Sequence, residues 1–227
     1  MTVKYWAIIP AAGISTRIKS DKPKQYFMLA GEAILQRVVN LFSSHPQIEK
    51  VVVVLHAKDH WWPTLQLSHP EKVLTAIGGV ERVHSVLLGL TFLTDFVKEK
   101  DFILVHDAAR PNLQSNDISK LISALKNHDV GGLFGLPVVD TLKKVNENDE
   151  VEKTVPRQHL WRAQTPQCFR YKILKSAIEN ALSENIVVTD ESSAIEHAHL
   201  KPKMILGDAN NIKITFPEDI ALAEKLF

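Results

Sequence analysis

The chain has 227 residues, 45% of them apolar, which is enough for one α/β domain with a sizeable core. Its 27 Lys and Arg stand against 26 Asp and Glu, a formal charge of +1, without the basic excess of a general nucleic-acid binder. Cys168 is the single cysteine, which excludes a disulfide within the chain and suits a reducing, cytoplasmic setting. The N-terminal residues lack a signal-peptide core and no apolar run approaches a membrane span, so neither export nor a membrane partner is expected.

The near-continuous apolar run Val3 to Pro10 predicts a first strand covered on both faces. Ala33 to Phe42 has helical spacing, and Val51 to Leu55 is short and β-branched, a second buried strand. A helix is expected over His60 to Leu67, with Trp61 and Trp62 as packing residues. Val73 to Ile77 reads as a strand ended by Gly78-Gly79, Glu81 to Leu93 as a helix, Phe102 to Val105 as a strand and Ser115 to Leu125 as a helix. This β-α alternation predicts a mostly parallel, doubly wound sheet with ligands beyond the carboxyl ends of its strands. The loops at Ala11, Gly78 and His106 all leave those ends.

Gly131 to Val139 is expected as a further strand. Thr141 to Val155 then alternates but is polar, with a turn cluster from Asn146 to Asp149, and predicts a hairpin too hydrophilic for a core. Isolated hairpins are marginally stable, so a partner subunit is a natural surface for it. Tyr171 to Leu182 is helical, and Thr189-Asp190 caps a helix from Glu191 to His197. Met204 to Leu206 and Ile212 to Thr215 read as short strands. Thr215 to Glu218 fits a capping box before a closing helix from Ile220 to Leu226.

The stretch Ala11 to Gln25 carries the clearest chemistry. Small residues let backbone amides approach a ligand, and Arg17, Lys22 and Lys24 supply positive charge, a combination suited to phosphates. It is neither a P-loop nor Gly-x-Gly-x-x-Gly, and a surface turn with solvated lysines is the alternative. Gly78-Gly79 could meet a base edge with Ser85 one helical turn on, or simply join a strand to a helix. In His106-Asp107-Ala108-Ala109-Arg110-Pro111 the aspartate could hold a ribose hydroxyl or Mg²⁺ and Arg110 a phosphate, against a plain Asp–Arg brace. His106 reads as structural and Cys168 as a buried small hydrophobe. Asp190 and Glu191 could hold a metal, but acids that open a helix are usually caps. The histidines have no zinc spacing.

Together these segments resemble the 2-C-methyl-D-erythritol 4-phosphate cytidylyltransferases of the non-mevalonate isoprenoid pathway, over nearly the whole chain. The marks are Pro10-Ala-Ala-Gly13 with Arg17, Pro23-Lys-Gln-Tyr26, Gly78-Gly79-x-Glu-Arg82 with Ser85, Val105-His-Asp-Ala-Ala-Arg-Pro111, Asp140-Thr141, Gln164-Thr-Pro-Gln167, Thr189-Asp-Glu191 and Asn211-Ile-Lys213. The resemblance implies a Rossmann-like α/β domain spanning 1–227, with 141–157 as a β-arm that makes a homodimer. It implies transfer of CMP from CTP to methylerythritol phosphate, with Mg²⁺ held mainly by the triphosphate and Asp107 a possible ligand. Ala11, Ala12, Gly13, Gly79, Ser85, Asp107 and Ala108 would hold the nucleotide. Arg17, Lys24 and Lys213 would stabilise charge at the α-phosphate. Arg110, Thr141, Arg157, Thr165 and Lys213 would hold the second substrate, Thr141 and Arg157 coming from the neighbouring subunit. Ser15 stands where the family usually has a glycine, and Val80 where it often has an aspartate. A ribitol 5-phosphate cytidylyltransferase, and a nucleotide-binding module without activity, are the alternatives.

Overall fold

A computed structural model describes residues 2–13 and 22–226. The first strand, β1 (Tyr5–Pro10), is followed by a small antiparallel pair, β2 (Met28–Leu29) and β3 (Glu32–Ala33), and by α1 (Ile34–Ser44). Next come β4 (Ile48–Leu55), β5 (Val73–Ile77), α2 (Arg82–Phe92), β6 (Phe102–Val105), α3 (Ser115–Leu125) and β7 (Gly131–Pro137). A hairpin of β8 (Leu142–Val145) and β9 (Val151–Val155) leads to β10 (Trp161–Arg170), α4 (Tyr171–Ser183), α5 (Glu191–His197), β11 (Lys203–Leu206) and α6 (Glu218–Lys225).

Among the described residues the central sheet has seven strands in the order β11-β7-β10-β6-β1-β4-β5. All its pairings are parallel except those of β10, which runs antiparallel to both β6 and β7. The chain builds outward from β1 through β4 to β5, then returns to lay β6 against the other side of β1. That reversal leaves a crevice at the carboxyl ends of β1 and its neighbours, where open α/β sheets take their ligands.

Strand alternation explains the two layers. Ala7 and Ile9 of β1, Val51 and Val53 of β4, and Leu104 of β6 face one way, against Leu35, Val38 and Phe42 of α1 and Ile118, Leu121 and Leu125 of α3. Trp6 and Ile8, Val52 and Val54, and Ile103 and Val105 face the other way, against α2, α4 and α5. Gly131, at φ +131°, opens β7 where a β-carbon would stand 2.1 Å from the carbonyl oxygen of Cys168 on β10. Cys168 itself is fully buried, and burial pushes its thiol pKa up, as suits a packing residue.

Three expectations are corrected. His60 to Leu67 forms only a single 3-10 turn, Trp62–Thr64, which Asp59 Oδ1 caps by accepting from the amides of Trp61 and Trp62 at 3.0 Å each and which ends where Leu65 turns extended. Ile212 to Thr215 is loop, its path fixed where the Ile214 amide donates to the Ala109 carbonyl at 2.8 Å. The closing helix is capped by Asp219, which accepts from the amides of Thr215 and Phe216 at 2.7 and 2.8 Å, in place of the expected Thr215–Glu218 box. The sheet also contains a strand the sequence reading omitted, β10. Its register slips between Gln164 and Gln167, around Pro166, which has no amide to give to a ladder.

The β8–β9 hairpin pairs Lys144 with Glu152 at 2.6 Å and leaves Val145 and Val151 exposed. Among the described residues no helix is long and apolar enough to cross a membrane.

Candidate active site

A cleft of about 190 Å³ opens at the carboxyl ends of β1, β5 and β6. The loop after β1 brings Ala11, Ala12 and Gly13 to it, the loop after β5 brings Gly79 through Arg82, and the loop after β6 brings Asp107 and Ala108. Lys24 and Lys213 line it as well, from opposite ends of the chain.

Each loop has a local reason for its course. The Ala11 amide continues the sheet by donating to the Val54 carbonyl at 2.8 Å, and Gln25, itself buried, donates from Nε2 to the Ala11 carbonyl at 2.9 Å. This bond ties the segment bearing Lys24 to the end of β1. A β-carbon on Gly78 would lie 2.4 Å from that of Ala12, so glycine is needed for the β5 loop to close on the β1 loop. The Ser85 hydroxyl accepts from the Gly79 amide and donates to the Glu81 carbonyl, both at 3.2 Å, which holds the glycine turn in place.

Lys213 reaches the cleft because its loop is pinned on both sides. Asn211 donates from Nδ2 to the Thr165 carbonyl at 2.8 Å and accepts through its own carbonyl from Arg110 Nη1 at 2.7 Å. Lys24 donates from Nζ to the Ile214 carbonyl at 3.0 Å, next to Lys213. The two lysines therefore meet one segment of backbone.

Asp107 joins the cations. Its Oδ2 lies 2.8 Å from Lys213 Nζ and 3.6 Å from Arg110 Nε, and its Oδ1 accepts from Arg82 Nε at 3.0 Å. Arg82 then spends both terminal nitrogens on Glu191, Nη1 to Oε1 at 2.6 Å and Nη2 to Oε2 at 3.1 Å. Burial alone would raise the Asp107 pKa, but Arg82, Lys213 and Arg110 outweigh it and hold the carboxyl well below the usual range. Burial would lower the Arg82 pKa, and Glu191 and Asp107 together raise it instead. Glu191 is almost wholly buried, and stripping its cation away would cost about 3–5 kcal/mol.

His106 and Thr165 form the layer beneath. The Arg110 carbonyl can only accept, so His106 Nε2, 3.0 Å away, carries the ring proton. Nδ1 is then the acceptor and takes the Thr165 hydroxyl proton at 3.1 Å, while the same oxygen accepts from the Asp107 amide at 3.1 Å. The chain of bonds sets the Asp107 backbone and uses a neutral imidazole, with no base function.

Of the residues named from sequence, Ala11, Ala12, Gly13, Lys24, Gly79, Ser85, Asp107, Ala108 and Lys213 line the cleft. Arg110 and Thr165 lie just behind it, engaged as described. Thr141 and Arg157 sit on the exposed arm, Arg157 donating to the Val139 carbonyl. Arg17 and Ser15 lie outside the described residues. Lys22 rests over the Trp61 ring, 5.0 Å from its centroid. Val80 is an exposed side chain at the rim. Among the described residues no three His, Cys, Asp or Glu side chains converge on a metal, and both Asp107 oxygens already meet cations. These residues do not form a resident metal cage.

The sequence reading missed the Arg82–Glu191 pair. A signal was present, because an arginine in the first helical turn opposes the helix dipole and wants a carboxylate nearby. Asp190 is the cap foreseen, accepting from the Ser193 amide at 2.9 Å, which leaves Glu191 free to turn inward.

Burial lowers the His106 pKa to about 4, from 6.5. Between those values the unfolded chain binds a proton that the folded one refuses. Stability is therefore full above pH 6.5 and falls as pH drops through the window, by about 3 kcal/mol at pH 4. Urea unfolding between pH 7 and 4.5 should show this decline, and the ¹⁵N imidazole spectrum should keep His106 as the neutral Nε2–H form at pH 5.5. Titration of His106 near pH 6.5 would contradict the bonding scheme.

The chain is similar to known proteins along nearly its whole length. A family described as 2-C-methyl-D-erythritol 4-phosphate cytidylyltransferase matches residues 5–227. Enzymes of that name from Hahella chejuensis and Pseudomonas aeruginosa are 44% and 42% identical, covering 97% and 98% of this chain and 92% and 96% of their own. The crystal structure of the Francisella tularensis enzyme of that name superposes with a TM-score of 0.86 at 35% identity, over 99% of this chain and 100% of that one. The Thermus thermophilus enzyme gives 0.79 at 27% identity, over 100% and 98%.

Proposed function

The chain belongs to the 2-C-methyl-D-erythritol 4-phosphate cytidylyltransferase family, and on that footing we infer how its own residues carry out the transfer. CMP passes from CTP to 2-C-methyl-D-erythritol 4-phosphate, giving 4-diphosphocytidyl-2-C-methyl-D-erythritol and pyrophosphate, a step in isoprenoid precursor synthesis. The observation that carries the assignment of roles is the convergence of Lys24 and Lys213 on one cleft with the Ala11–Gly13 loop.

The nucleophile is a phosphate oxygen of methylerythritol phosphate. It attacks the α-phosphorus of CTP in line, and the bond to the bridging oxygen of pyrophosphate breaks. The attacking oxygen is already anionic, so no proton needs removing and no general base is required. The neutral, buried His106 is consistent with that. The obstacle is the approach of two anions and the charge on the five-coordinate phosphorus. Lys24 and Lys213, with Arg17 from earlier in the chain, are the cations for that charge. The nucleotide rests on the backbone of Ala11, Ala12, Gly13 and Gly79, with Ser85 behind the glycine turn and with Asp107 and Ala108 beside the ribose. Mg²⁺ enters on CTP as part of the substrate, bound by phosphate oxygens, and supplies Lewis-acid charge to the triphosphate.

Methylerythritol phosphate is the ligand we assign to Arg110, Thr165 and Lys213, completed by Thr141 and Arg157 from the arm of a second subunit. Two facts support a homodimer. The arm exposes Val145 and Val151, and Thr141 and Arg157 do not line the cleft of their own chain. The whole chain acts as one domain with 141–157 as its arm, in a cytoplasmic setting.

Replacing one preorganised charge contact should lower kcat by about 10²-fold, with a much smaller change in KM for CTP. Steady-state kinetics of Lys24→Ala and Lys213→Ala check this, and near-wild-type kcat in either removes that lysine from its role. Subunit mixing tests the arm. In a K213A/R157A heterodimer one site keeps both residues and the other loses both. An equal mixture should recover about a quarter of wild-type turnover, since about half the dimers are mixed. Recovery no greater than the sum of the parents would place Arg157 in its own chain's site.

A further inference from the structure

We infer that Glu191 is a positioning residue for Lys213, acting through Arg82 and Asp107; this deepens the proposed function and rests on Lys213 being one of its cations. A guanidinium carries five N–H donors in one rigid plane, one at Nε and two on each of Nη1 and Nη2. In this protein Glu191 takes the group end-on, Nη1 to Oε1 at 2.6 Å and Nη2 to Oε2 at 3.1 Å. That clamp fixes the plane of the group and turns its Nε edge to Asp107, where Nε donates to Oδ1 at 3.0 Å. The second oxygen, Oδ2, stays available and holds Lys213 Nζ at 2.8 Å.

Without the Glu191 carboxylate the guanidinium would be free to turn its end-on fork to Asp107, the carboxylate already in contact. A bidentate Arg82–Asp107 pair takes both oxygens and competes with the ammonium for Oδ2. Lys213, whose side chain is about half exposed, would then lose the contact that aims it. The charge balance points the same way. Arg82, Arg110 and Lys213 share the carboxylates of Asp107 and Glu191, and removing one acid sharpens the competition for the other.

Glu191 is a firm anchor for this work. It is only 2% exposed. The start of its helix is clamped to β10 by Gln167, which accepts from the Ser192 amide and donates to Asp190 Oδ2, both at 2.8 Å. A rigid strand thus fixes α5, α5 fixes Glu191, and Glu191 fixes the orientation of a guanidinium on the opposite side of Asp107 from Lys213.

The test is Glu191→Gln, which keeps the shape and leaves Arg82 with Asp107 as its remaining carboxylate, with Glu191→Asp as the conservative partner. A crystal structure of E191Q should show both oxygens of Asp107 on Arg82 and Lys213 Nζ more than about 3.5 Å from the carboxylate, beyond hydrogen-bond range. In turnover, E191Q should lower kcat about tenfold with KM for CTP changed less than about threefold, as for a displaced catalytic contact. E191D should recover most of that loss. In a K213A background E191Q should lower kcat by less than about twofold, because its target is gone. Independent, multiplicative losses in that background, or Lys213 still seated on Asp107 in the E191Q crystal, would overturn the inference. The crystal readout needs no turnover. An inactive wild-type protein would count against the proposed function, whereas an active one with unchanged E191Q kinetics would count against the positioning alone.

Discussion

One carboxylate lets the positive charges of this cleft coexist. Arg82, Arg110 and Lys213 approach Asp107 from the start of α2, from the loop after β6 and from the far end of the chain. Three cations packed this closely would repel one another by several kcal/mol at an effective dielectric near 20. Asp107 draws them together, and Glu191 takes the terminal nitrogens of Arg82. Lys213 is thereby presented next to Lys24, which is tethered to the following residue's carbonyl. The site depends on this arrangement being built before any anion arrives, because donors that need no reorganisation are the ones that lower a barrier.

The scaffold explains why it can be built. The sheet reverses its order at β1, so the loops after β1, β5 and β6 open on the same edge. The antiparallel β10 then passes beside β6 and carries four functional attachments in a row. Gln164 donates to the Asp208 carbonyl, Thr165 supports the Asp107 amide and accepts Asn211 at its carbonyl, and Gln167 clamps α5. A single strand thereby sets the loop that carries Lys213 and the helix that carries Glu191.

That strand also marks what the sequence hid. β1, β4 and β6 are β-branched and apolar on both faces, so their period and burial were legible, and α1, α2 and α3 followed from their spacing. The exits of these strands made the cleft legible as well, as did the glycines at 78 and 79 and the lysines at 24 and 213. β10 was not, because ahead of the buried Cys168 and Phe169 it buries Gln164, Thr165 and Gln167, polar residues that bond to loops and to α5. Propensity and hydrophobic period are blind to such a strand. The helix expected at 60–67 has its cap in Asp59 but stops after one 3-10 turn, where Leu65 turns extended. The Arg82–Glu191 pair spans more than a hundred residues, and no local pattern announces a contact of that range. Family resemblance supplied the roles of Thr141 and Arg157, which the geometry of one chain leaves out on the arm.

The reaction inferred for this cleft needs two anions to meet where several protein cations already stand, with no group required to remove a proton. Continuous measurement of pyrophosphate release by the purified protein tests that most directly. With Mg²⁺–CTP and 2-C-methyl-D-erythritol 4-phosphate together, pyrophosphate should appear in step with a cytidylylated product, and CTP alone or with ribitol 5-phosphate should give little. Binding of CTP with no release in the presence of either polyol phosphate, or release that favours ribitol 5-phosphate, would contradict the account.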